Sequence, residues 1–130
     1  GADPIALCRI PARYERCRLD TFEPHARPSL TMALEKCMRY CNGYPRLGPG
    51  EEGLGLLLTG PSGVGKTHLA VAVLRELVER KGARGQFWDF HSLIRDTRNS
   101  YDLDTRITVL QVLQRVVYTD ILALDYLGVW

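Results

Sequence analysis

Residues Gly60-Pro61-Ser62-Gly63-Val64-Gly65-Lys66-Thr67 place glycines, a lysine and a hydroxyl in the order G-x-x-x-x-G-K-[ST], a pattern suited to cradling a phosphate chain. Glycine allows backbone conformations that a Cβ would forbid, so successive amides can turn inward and form an anion nest. A helix opening near Gly65 would add its free N–H groups and the positive end of its dipole. Lys66 would reach the β- and γ-phosphates as a point charge. The Thr67 hydroxyl is a hard oxygen donor of the kind Mg²⁺ favours. His68 follows directly and is grouped with residues 60–67 as a nucleotide-contacting position. An ordinary glycine-rich turn would explain the glycines but gives no reason for Lys66-Thr67.

A second candidate lies downstream. Ile121-Leu122-Ala123-Leu124-Asp125 is an apolar run ending in an acid. This is the form of a buried strand that presents a carboxylate at the carboxyl end of a parallel sheet, where it can hold Mg²⁺ through water. Lys66 and Asp125 are therefore the expected catalytic positions, with Thr67 and Asp125 toward the metal. Many ATPases follow this Asp with a second acid, whereas here Tyr126 follows. A phenol with an ordinary pKa of about 10 is a poor proton acceptor at neutral pH.

The elements that must position these residues can be read from the pattern. The run 54–59 is apolar on both faces and predicts a central parallel strand. A helix is expected over Lys66–Lys81, burying Ala70, Val73, Leu74, Leu77 and Val78, with Gly82 as its stop. A strand is expected near Gln86–Phe90, a short helix over His91–Ser100, and a strand near Asp120–Asp125. Between them, a helix capped by Asp104 or Thr105 would run to about Tyr118 with Ile107, Leu110, Leu113 and Val117 inward. Ser29 is expected to cap a helix to about Cys41 with Leu30, Leu34, Cys37 and Cys41 on one face, ended by Asn42-Gly43. Residues 1–27 read as an irregular arm and 44–53 as a linker. The division is thus 1–53, arm and helix, and 54–130, the first half of a nucleotide-binding core. The fold class is α/β: a three-layer α-β-α parallel sheet with right-handed crossovers.

Composition sets the outer bounds. The 130 residues suffice for one domain with a core. No apolar run is long enough to span a membrane. The start Gly-Ala-Asp-Pro has neither a signal-peptide pattern nor an initiator Met and is expected to be a processed end. Net charge is +2, with residues 1–50 carrying eight Lys/Arg against five Asp/Glu, a weak basic bias that does not by itself imply nucleic acid. Cys8, Cys17, Cys37 and Cys41 fit no zinc spacing and are expected as reduced thiols of a cytoplasmic protein.

The motifs and their flanks resemble the DnaC/DnaI/IstB-like group of AAA+ ATPases, bacterial helicase loaders and transposition helpers. Ile10-Pro11-Ala12-Arg13-Tyr14 and Leu19-Asp20-Thr21-Phe22 resemble its lead-in, Leu56 to Ala72 its P-loop and helix, and Asp120 to Gly128 its Walker B segment. The resemblance implies ATP phosphates at Gly63, Gly65 and Lys66, and Mg²⁺ at Thr67 and Asp125. It implies DNA replication or transposition, a helicase or transposase partner and a possible homo-oligomer. Tyr14 and Phe22 would lie near the adenine, or simply pack the arm on the sheet. Arg95 and Arg98 would touch single-stranded DNA, or form a solvated helix face. The family continues past its Walker B strand with a sensor strand and an arginine finger. A chain ending at Trp130 is therefore expected to be a fragment with unpaired strand edges and marginal stability. Two other readings remain: a nucleotide-binding module that does not hydrolyse, because of Tyr126, and a small P-loop metabolite kinase. Under all three, Lys66→Ala should abolish tight ATP binding, and unchanged affinity in a titration would refute the phosphate-loop assignment.

Overall fold

A computed structural model describes residues 3–45, 65–101, 106–116 and 119–125. The expected strand at 54–59, loop positions Gly60 to Val64, and Tyr126 lie outside the described residues. After an arm containing three single 3-10 turns (Ala6–Cys8, Ala12–Tyr14 and Leu19–Thr21), the order is α1 (Pro28–Gly43), α2 (Lys66–Lys81), β1 (Gly85–Asp89), α3 (Phe90–Asn99), α4 (Val109–Gln114) and β2 (Ile121–Asp125). The strands β1 and β2 pair in parallel, with Gly85 opposite Ile121 and Asp89 opposite Asp125.

Helix α2 is the central element. Its sequence is apolar on two sides, and it buries both. Leu69, Val73 and Leu77 meet Phe22, Cys37 and Cys41, while Val71, Leu74 and Val78 meet Phe87, Cys8 and the inward side chains of β2. This two-sided burial is wider than the single stripe read from the sequence, because α1 and the arm cover the flank that a simple surface helix would expose to water. Gly82 at φ 70° ends α2, and the Ala83 N–H donates to Leu77 O at 3.1 Å, a left-handed helix stop. The opposite face of the sheet carries Trp88, packed with Leu93 of α3 and Val116. The parallel pair therefore has helices on both faces.

Two local expectations need correction. Ser29 is not the cap of α1: Arg27 is, with extended backbone and no side-chain cap bond, and Pro28 occupies the first turn. Proline's fixed φ and missing N–H suit that position. The later helix is shorter than expected. Leu110, expected inward, is 66% exposed, while Val116 is buried and Val112 packs beside it. The 3.6-residue pattern at 107–117 fits both faces, and contact with Trp88 and Leu93 selects the Val112–Val116 face.

Helix α2 packs tightly on the sheet at Gly85. A Cβ there would overlap Leu74 Cδ1 and come 3.2 Å from Val78 Cγ2, whereas one at Gly43 would meet nothing within 4 Å. Gly85→Ala should therefore destabilise the chain by about 1–3 kcal/mol through overpacking. Gly43→Ala should be neutral or stabilising by up to ~1 kcal/mol through helix propensity. Urea unfolding of the two variants checks the contrast, and equal midpoints would contradict it.

Candidate nucleotide site

The site forms where the N-terminus of α2 meets the carboxyl end of β2. Gly65 precedes α2 at φ 97°, a conformation that L side chains rarely adopt. Its carbonyl starts the helix by accepting the Leu69 N–H at 3.0 Å. Lys66 and Thr67 thus open a 16-residue helix, and the first amides of a helix lack intrahelical acceptors, an arrangement suited to an anion. The Thr67 hydroxyl donates to Asp125 Oδ2 at 3.3 Å. These residues are 58 positions apart in sequence, and the seating of α2 on the parallel pair brings them together.

The arm holds this helix end in place. Phe22 is buried, and its Cε2 lies 2.7 Å from where a Gly65 Cβ would be. Its ring meets His68 edge-on at 5.3 Å, and His68 Nε2 lies 2.9 Å from Arg18 O. Arg18 makes a forked pair with Glu79 at 2.8 and 3.2 Å. That hydrogen-bonded guanidinium holds the Glu79 carboxyl below its usual range. Because the folded-state value is depressed, the stabilisation is present above the ordinary carboxylate range and fades as pH falls through the lowered value. Arg75, 6% exposed, donates to Tyr14 O at 3.4 Å, and its Nε has no hydrogen-bond partner among the described residues.

Beside the Thr67–Asp125 contact is a cavity of about 220 Å³ whose lining includes Arg13, Tyr14, Thr67, Asp89, Ser92 and Asp125. Its arm wall is cationic and aromatic: Arg13 lies 4.7 Å from the Tyr14 ring centre, and Arg9, also at the wall, stacks 3.5 Å over Trp88. Its sheet wall is acidic. Tyr14 reaches this cavity and packs on Phe87 at 6.1 Å, while Phe22 lies under Gly65 instead. Arg95 and Arg98 are on exposed positions of α3, with Arg95 bonded to Ser92 Oγ at 3.1 Å. The four cysteines are free thiols, and burial raises the Cys41 thiol to about 12. Among the described residues, no cluster of three or more His, Cys, Asp or Glu could hold a metal.

Sequence reasoning missed Asp89, Arg9 and Arg13. The signal for Asp89 was available: Phe87-Trp88-Asp89, like Leu124-Asp125, is an apolar strand end closed by an acid. The arginines depend on where an irregular arm packs, and no periodicity encodes that.

This fold is that of a P-loop nucleotide-binding protein. The profile of the family described as IstB-like ATP binding protein matches residues 51–130, and the chain belongs to that family. The crystal structure of the DnaC helicase loader superposes with a TM-score of 0.63 and 25% sequence identity, over 92% of this chain and 82% of that one. No curated protein matches the chain. It is an ATP-binding protein of AAA+ type with an α/β parallel-sheet core. No helix among the described residues is long and apolar enough to cross a membrane.

Gly65 carries two constraints, its positive φ and the Phe22 ring. Gly65→Ala should lower the thermal midpoint, and adding Phe22→Ala should not restore it fully, because the backbone strain remains. Full restoration would show that Phe22 contact alone demands glycine.

Proposed function

We propose that this protein binds ATP with Mg²⁺ and uses the bound nucleotide as a switch for assembly on DNA, a helicase or a transposase. The observation that carries the reading is the 3.3 Å contact between Thr67 and Asp125 at the N-terminus of α2. The donor set fits the ion. Mg²⁺ prefers hard oxygens and usually takes one or two protein groups, with phosphate and water completing its shell. A hydroxyl beside a carboxylate offers this, with no soft or nitrogen ligand in the pair. Thr67 would hold the ion directly and Asp125 through water. Lys66 and the amides of Gly65 and its neighbours would take the phosphates. Bound Mg²⁺ would neutralise the phosphate charge during phosphoryl transfer.

Similarity to the DnaC helicase loader supports a helicase as the partner class, and family membership leaves a transposition role equally open. Either role is cytoplasmic. Residues 1–53 would serve as arm and helix bracing the nucleotide core from 54 onward, as the Phe22 and Arg18 contacts suggest. Arg95 and Arg98 stand on a solvent-exposed helix surface, where single-stranded DNA could reach them.

Calorimetric titration tests the reading. ATP should bind, and Asp125→Asn should weaken binding roughly tenfold in Mg²⁺, about 1.4 kcal/mol, with little change in EDTA. Absence of ATP binding, or an Asp125→Asn effect that ignores Mg²⁺, would overturn it.

A further inference from the structure

The two strands end in acids at the same level: Asp89 is the register partner of Asp125. Partners in a parallel pair point to the same face, and neighbouring strands lie about 4.8 Å apart. This is the face that α2 covers, and Asp89, Asp125 and Thr67 all line the same cavity. Asp89 Oδ1 accepts the Ser92 N–H at 3.0 Å. That bond caps α3 and fixes the carboxylate of a residue that lines the cavity. Meanwhile, the position after Asp125, where a second acid would stand, is Tyr126.

We propose that Asp89 supplies the missing carboxylate, as a catalytic residue for ATP hydrolysis. The proposal rests on the ATP·Mg²⁺ reading above. Asp89 Oδ2 accepts a hydrogen bond from the attacking water. The water oxygen forms a bond to the γ-phosphorus, the bond from that phosphorus to the bridging oxygen breaks, and its electron pair leaves with ADP. The water proton passes to Asp89 and then to the released phosphate or to solvent. Water is the sole co-reactant. The acid thus comes from the neighbouring strand, and the α3 cap keeps it oriented.

A capping role alone and a catalytic role can be separated because Asn caps helices about as well as Asp. Asp89→Asn in the full chain should keep the thermal midpoint. It should bind a non-hydrolysable ATP analogue with Mg²⁺ no more weakly than the unaltered protein, since a negative charge near the phosphates is gone. Steady-state turnover should fall by roughly 10²-fold, the scale of a lost general base. Asp89→Ser, which also caps without charge, should behave alike. Unchanged turnover in either variant overturns the proposal, as does a parallel fall in midpoint, affinity and turnover. Analogue binding without turnover in the unaltered protein overturns it while leaving the ATP-binding reading intact. Absence of analogue binding removes both.

Discussion

The seating of one helix on two parallel strands controls the rest of the molecule. Gly85 lets α2 approach the sheet so closely that a single added carbon would collide with Leu74. At that distance the helix axis carries Thr67 to Asp125. The contact is modest in energy, since a net hydrogen bond to a charged group contributes only about 1.5–3 kcal/mol. The position is instead set by the apolar layers on both sides of α2, where Leu69, Val71, Val73, Leu74, Leu77 and Val78 are all buried. The polar pair is thus brought together by hydrophobic burial.

The arm has a related role at the other side of the helix end. An isolated N-terminus with a left-handed glycine before it would fray. Phe22 fills the space a Gly65 side chain would take, His68 reaches back to Arg18 O, and Arg18 grips Glu79 about three turns further along α2. Glycine at 65 therefore serves two demands at once, positive φ and room for an aromatic ring. These contacts couple the first turn of α2 to the arm.

Much of this was legible in the sequence. The apolar run ending in Asp125 was readable as a strand, and the heptad-like spacing of Leu30, Leu34, Cys37 and Cys41 marked the inner face of α1. The bounds of α2 were readable because Gly65 and Gly82 are unmistakable punctuation. Other features were not readable, for specific reasons. Helix α4 is only six residues long, so periodicity could not choose between two apolar faces, and Leu110 was placed inward in error. For Phe22 the sequence left two places open, near the adenine or packed in the arm, because an aromatic in a lead-in segment has no period to orient it; the structure packs it under Gly65. Asp89 fell inside the expected strand Gln86–Phe90, and its relation to Asp125 appears only once the parallel register is known.

The central claim is that Thr67 and Asp125 together hold the metal of a nucleotide complex. Mn²⁺ can stand in for Mg²⁺ at hard-oxygen sites, and its unpaired electrons broaden nearby resonances. In an NMR titration of the full chain with ATP and substoichiometric Mn²⁺, the account predicts that the amide signals of Thr67 and Asp125 vanish first, with Asp89 close behind and α1 untouched. Broadening centred elsewhere in the chain, or the same pattern without ATP, would contradict it.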